Sequence, residues 1–278
     1  MTTDTFTWNR NDWTPLGEMA DGFDEYRPPS SDDLEGSSLT LECRTPGRVQ
    51  SDHTLTWRFA QGLLHWTRQA DSSLTEGTET YELFRMQPGL YFIHYRVHLE
   101  DHPVVVTGAI DINAGQLTAT IGELGLQPDP HLARQTWFQG SIVTAEHGDG
   151  AAHATTDELI GHRIRYAYSS DDVYDHIYLN RQLFTWCCVG GAEKGLADTD
   201  RTTTWKLRDK TYLFSWLEKN VGVEGVVLID LNAMRTVGIQ FGLDQHTGDL
   251  VNITMGAYAE DLGRVPDVTQ CRPGPPSV

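Results

Sequence analysis

Apolar and polar positions alternate along most of this chain. Leu55, Trp57 and Phe59 fall between Thr54, Thr56 and Arg58, while Tyr212, Phe214, Trp216 and Glu218 share one parity opposite Leu213, Ser215, Leu217 and Lys219. A period of two is the mark of a strand with two distinct faces. Turn residues such as Gly89, Asn113-Ala114-Gly115 and His246-Thr247-Gly248-Asp249 punctuate these runs, at the spacing of roughly 8–12 residues that sandwiches and barrels show. The pattern predicts an all-β chain of antiparallel sheets closed on themselves. Only Ser30-Ser31-Asp32-Asp33 and Thr155-Thr156-Asp157-Glu158 look helical, each offering an N-cap hydroxyl for a single turn that leads into a strand.

The same blocks occur twice. Ser30 to Gly36 returns as Thr155 to Gly161, Trp66 as Trp186, Tyr91 to Tyr95 as Tyr212 to Trp216, and Ile110-Asp111-Ile112-Asn113 as Ile229-Asp230-Leu231-Asn232. A period of about 120 residues exceeds the roughly 20–50 of a solenoid or propeller unit. The reading is therefore two tandem barrels from an internal duplication. The expected division is a lead-in over 1–30, barrels over 31–135 and 155–264, and a flexible tail over 265–278. The lead-in carries Phe6, Trp8, Trp13, Phe23 and Tyr26, so it should pack its aromatics against something.

Composition narrows the partners. A net charge of −18 argues against nucleic acid and anionic membranes, which reward a basic face. No apolar run reaches the roughly 18 residues of a membrane span. No signal peptide is read at the start, and the four cysteines follow no disulfide framework, so a cytoplasmic protein with reduced thiols is expected.

Further residues suggest a family. Arg165-Tyr166-Ala167-Tyr168-Ser169, Tyr174 to Asn180, Thr185-Trp186-Cys187-Cys188, Gly191 to Asp200 and Tyr212 to Lys219 resemble the C-terminal half of the MoaF family, and Asn11 to Leu16 with Gly22-Phe23-Asp24 its N-terminal half. The resemblance implies paired calycin-like barrels, with the architecture of lipocalins and phenolic acid decarboxylases. It says little about activity. Two positions depart from the pattern: one near Asp172, where the resemblance leads to His, and Leu217, where it leads to Arg.

An eight-stranded barrel has room for side chains or one small ligand, so the candidates are residues that face a lumen. Glu218 ends the aromatic strand of the second copy, where desolvation would raise its pKa into the range of a general acid or base. The alternative is a rim glutamate paired with Lys219, Lys206 or Arg208. His176, Tyr178 and Asn180 share one face opposite Ile177 and Leu179, which suits a polar lumen or, equally, a face toward solvent. The candidate catalytic pair is Glu218 and His176. The candidate substrate-binding set is Arg165, Tyr168, Tyr178, Asn180, Trp186, Tyr212, Phe214 and Trp216. Glu193 to Asp200 reads as a polar loop long enough to cover a barrel mouth, or as a structural turn.

No metal or cofactor is expected. His94 and His98 are four apart in a strand-like run, not on a helix, and no phosphate loop, dinucleotide fingerprint or nucleophile elbow appears. Three functions stay open: a cofactor-independent lyase, isomerase or cyclase acting on a small aromatic or conjugated metabolite, a lipocalin-like binder of such a ligand, and a structural or accessory partner. A homodimer is compatible with each.

Overall fold

The computed structural model describes residues 13–97, 102–125, 133–143 and 153–264. The 1–12, 98–101 and 265–278 segments, and with them Phe6, Trp8, His98 and Cys271, lie outside the described residues. Alternation does become strands: over His53–Ala60, Leu55, Trp57 and Phe59 are buried while Arg58 is exposed.

The first sheet takes β1 (Ser38–Arg44), β2 (His53–Ala60), β3 (Leu63–Ala70), β4 (Ser73–Glu79), β5 (Tyr81–Gln87), β6 (Leu90–Val97), β7 (Val104–Asp111), β8 (Gln116–Leu124) and β9 (Ala133–Ile142). Their spatial order is β4-β3-β2-β1-β9-β8-β7-β6-β5. The edge strands β4 and β5 are separated in the chain by Thr80 alone, so the sheet curls until its two edges meet in one interrupted strand.

The second sheet takes β10 (Ala154–Thr155), β11 (His162–Ala167), β12 (Val173–Tyr178), β13 (Leu183–Gly190), β14 (Ala197–Arg208), β15 (Thr211–Leu217), β16 (Gly222–Asp230), β17 (Arg235–Leu243) and β18 (Leu250–Arg264). Here β14 is continuous. Its first part pairs with β13 and its second with β15, which closes an eight-stranded barrel. The one helix among the described residues, α1 (Leu16–Met19), belongs to the lead-in.

The two Ser/Thr-Asp blocks fold as turns instead of helices. The Asp33 amide donates to Ser31 Oγ and the Glu158 amide to Thr156 Oγ1, each at 3.2 Å. The hydroxyl caps one amide two residues on, and the chain then turns through Gly36 and Gly161, both at positive φ. The duplication is visible in these equivalent turns, and again where Asp111 and Asp230 end β7 and β16.

The barrels pack wall to wall. Phe84, Phe92, Val105 and Leu124 of the first meet Trp205, Leu213, Leu228 and Phe241 of the second in one buried cluster. Burying each such side chain contributes on the order of 1.5–3 kcal/mol. This is why β15 and β16 are buried on both faces: one faces the lumen, the other the neighbouring barrel. Polar residues lock the seam at equivalent positions. Arg208, at the end of β14, grips both carboxylate oxygens of Asp111 at 2.8 Å. Gln87, its counterpart at the end of β5, donates to Asp230 at 2.8 Å and to Thr211 at 2.9 Å.

Candidate functional site

The two lumens differ in their filling. Leu41, Cys43, Trp57, Phe59, Ile93 and Tyr95 pack the first. The second is lined by larger rings, and the lead-in covers its mouth: Trp13, Leu16, Met19 and Phe23 join the same buried cluster as Tyr168, Tyr174, Trp186 and Trp216. Phe23 stacks on Tyr168 at 4.6 Å, and Trp13 meets Trp186 edge-on at 5.5 Å.

The turn after β17 holds this cover by its backbone. The Leu16 amide donates to Asp244 Oδ2 at 2.7 Å, and Gln245 Nε2 reaches the Trp13 and Thr14 carbonyls at 3.2 and 2.9 Å. His246 Nε2 also contacts the Trp13 carbonyl at 3.1 Å. Two glycines make the fit. A Cβ at Gly242 would strike Leu16, and one at Gly225 would run into the Trp216 indole ring on the paired strand.

Beneath the cover lies a cavity of about 40 Å³, lined by these rings together with His176, Glu193, Glu218, Gln240 and Gln245. That volume suits one or a few waters, so a metabolite enters only when the cover moves. Carboxyls gather at this end of the barrel, each held by a ring. Trp216 Nε1 donates to Glu218 Oε1 at 3.1 Å, Trp186 Nε1 to Asp200 Oδ2 at 2.9 Å, and the Tyr174 hydroxyl to Glu193 Oε2 at 3.1 Å.

Burial pushes the Glu218 carboxyl well above the usual range, and the neighbouring charges of Asp200 and Glu193 add to the push. Burial likewise raises Glu193 to about 7, opposed by the Tyr174 hydroxyl, and raises Asp200 against the Lys219 amide and the Trp186 indole. His176 moves the other way, to about 3, because desolvation disfavours its cation. Only 5% of His176 is exposed, and its Nδ1 finds no hydrogen-bond partner among the described residues; the same holds for Gln240 Oε1. Desolvated acids, a neutral imidazole and unused polar atoms around one aromatic cavity are the ingredients of proton transfer to or from a bound molecule.

Of the residues expected from sequence, His176, Tyr168, Trp186, Trp216 and Glu218 line the cavity. Phe214 and Tyr178 lie deeper in the same lumen, where Tyr178 shares a 2.9 Å hydrogen bond with Tyr166. Tyr212 is in the lumen as well, with its hydroxyl turned to Glu158 at 2.8 Å. Two residues lie outside the lumen altogether. Asn180 lies beyond the end of β12, exposed, and its Oδ1 accepts the Gln182 and Leu183 amides in a turn. Arg165 points from the outer face of β11 and pairs with Asp175 at 2.7 Å. The cations offered as rim partners of Glu218 are engaged elsewhere: Lys219 with Asp198, Lys206 with Glu158 and Arg208 with Asp111.

Other site residues carried little sequence signal. Gln240 and Gln245 are single polar residues in an ordinary strand and turn, and Trp13 stands 232 positions before Gln245, which binds its carbonyl. Glu193 is the member of the polar loop that enters the cavity, while Asp198 and Asp200 already belong to β14. Asp172 sits beneath Gly22 of the lead-in, bonded to Ser169 at 2.6 Å, outside the cavity lining. Among the described residues no group of three or more His, Cys, Asp or Glu is arranged to hold a metal ion, and no helix is long and apolar enough to cross a membrane.

Comparison with known proteins gives matches to both halves. The MoaF N-terminal domain matches residues 11–126 and the MoaF C-terminal domain residues 153–265. Protein MoaF of Klebsiella aerogenes is 46% identical over 108 residues, a stretch that covers 38% of this chain and 41% of that protein. A solved structure from Burkholderia vietnamiensis, described as a "putative beta-lactamase", aligns with 37% of this chain and 95% of its own at 12% identity and a TM-score of 0.33. Likeness at that level says nothing about activity.

Proposed function

The chain belongs to the MoaF family, and within it we propose that the second barrel is the working one: a cofactor-independent acid/base enzyme of lyase, isomerase or cyclase type. Its substrate is a small aromatic or conjugated metabolite, stacked among the rings of Trp186, Trp216 and Tyr168. One observation carries the reading. Glu218 and Glu193 line a single covered cavity, and their surroundings push both carboxyls upward to different extents. Two carboxyls with separated proton affinities can divide the roles of donor and acceptor.

Glu193, near neutrality, exchanges a proton readily at working pH. Glu218 holds its proton longer and delivers it where negative charge develops on the substrate. His176 is too strongly desolvated to serve as a strong base, so its part is that of a neutral hydrogen-bonding group that orients the ligand. The cover excludes water once the substrate is bound, which strengthens each polar contact inside. A cytoplasmic location belongs to the same proposal, supported by the free thiols of Cys43, Cys187 and Cys188.

Turnover measured on a small-metabolite panel tests the proposal. Conversion that depends on Glu218 supports it. Tight binding with no conversion of any bound compound would instead make the barrel a carrier.

A further inference from the structure

Which charge a ligand of this cavity carries can be read from its walls. The lining holds two carboxyl groups, Glu193 and Glu218, and a third, Asp200, reaches it through the Trp186 indole. No lysine or arginine is in that lining among the described residues, and the one imidazole is neutral. The rings supply negative π faces on several sides: Trp186 and Tyr174 are 6.2 Å apart, and Tyr174 lies 6.0 Å from Tyr168. Such faces attract cations, and more strongly when the contact is desolvated.

The unused hydrogen-bonding capacity points the same way. Gln240, 7% exposed, presents a carbonyl oxygen with no donor to satisfy it, and His176, 5% exposed, has an unpartnered Nδ1 that accepts when the ring proton is on the other nitrogen. A buried acceptor without a donor is destabilising, and a ligand bearing N–H groups would satisfy it. An anionic ligand would meet carboxyls at close range with no counter-charge.

We propose that the second-barrel cavity recognises an organic ammonium ion, its positive group held between the Glu193 and Glu218 carboxyls and the Gln240 carbonyl, and its carbon skeleton packed among the Trp186, Trp216 and Tyr174 rings. The inference rests on the reading of this barrel as a ligand site and narrows its substrate class to amines. Binding is coupled to ionisation of the walls. An ammonium ion stabilises a carboxylate beside it, so a carboxyl that is protonated in the free protein releases its proton to solvent as the cation docks.

The test uses three probes of similar size that differ in charge: benzylammonium, benzyl alcohol and benzoate, titrated calorimetrically into the full chain at pH 7. Benzylammonium is expected to bind at least about tenfold more tightly than either other probe. Its apparent enthalpy should differ between phosphate and Tris buffers, as proton release requires. In Glu218→Gln the preference for benzylammonium over benzyl alcohol should shrink about tenfold. The comparison among probes and the buffer dependence both use the parent protein, so they stand even if the variant folds poorly. Equal or tighter binding of benzyl alcohol or benzoate would overturn the ammonium assignment and leave the acid/base reading in place. Failure of all three to bind would overturn the assignment and take with it the reading of the barrel as an aromatic-ligand site.

Discussion

Trp216 donates its indole N–H to the Glu218 carboxyl at 3.1 Å, so the last ring of β15 holds the acid that follows it by two residues. The bond fixes the carboxyl on the lumen side of the rim, where burial raises its proton affinity. Glu218→Gln keeps an acceptor for the indole and removes the transferable proton. Turnover should fall by about 10²–10⁴ with the thermal midpoint at pH 7 unchanged or higher. A paired single-turnover assay and thermal melt checks this. Near-parental turnover would make Glu218 structural.

The seam between barrels should be vulnerable at Arg208. Asp111 is 1% exposed and accepts both arms of that guanidinium. Removing one partner of a buried ion pair strands the other charge, at a cost of about 3–5 kcal/mol. Arg208→Ala should lose that much in denaturant unfolding, and Gln87→Ala, which removes hydrogen bonds to Asp230 and Arg208 but strands no buried charge, about 1.5–2 kcal/mol. Equal losses would mean that the seam is held by its apolar cluster alone.

Glu224 offers a pH signature at the same seam. It is fully buried, faces Gly122 of β8 across the interface, lies beside Gln135, and feels the charge of Glu123. Burial raises it from 4.5 to about 8. The unfolded chain therefore gives up this proton at lower pH than the folded one. Its contribution to stability is fully present below about 4.5 and is lost as pH rises toward 8, by at most about 5 kcal/mol at roughly 1.4 kcal/mol per unit. In Glu224→Gln the loss between pH 5 and 9 should be smaller than in the parent by up to that amount. Parallel melting curves for the two proteins would show that Glu224 ionises freely in the fold.

The cover should open more readily without Asp244. Its carboxylate accepts the Leu16 amide and also caps the His246 and Thr247 amides. A charged acceptor of this kind contributes about 1.5–3 kcal/mol, equivalent to roughly 10–100-fold in the opening equilibrium. Hydrogen exchange at Leu16 should speed up by that factor in Asp244→Ala, with β12 and β15 unaffected. Unchanged exchange at Leu16 would mean that apolar packing of Trp13 and Phe23 alone keeps the mouth covered.

Much of this was legible in the sequence, because the relevant physics is local. The parity of Tyr212, Phe214 and Trp216 places all three in the lumen, since a strand shows alternate residues to opposite sides. The duplicated blocks mark equivalent turns because Ser31 and Thr156 cap the same amide in each copy. Parity fails where the strand stops. Asn180 shares a parity with His176 and Tyr178, yet it lies past the end of β12 and turns the chain. The cover over the second barrel was invisible for a different reason: Trp13 and Asp244 are joined only by the closed fold. Glu193 was hidden in a loop whose acids looked alike until the turn aimed one of them inward.

The central claim is that Glu218 and Glu193 are desolvated acids with separated proton affinities in one cavity. Carbon-13 NMR titration of the protein labelled at its glutamate carboxyls tests this directly, with each signal assigned by its loss in Glu193→Gln and Glu218→Gln. The account predicts that the Glu193 signal titrates near 7 and the Glu218 signal well above the ordinary glutamate range. If both titrate between about 4 and 5, as solvated glutamates do, the cavity holds no acid/base pair and the proposed chemistry is wrong.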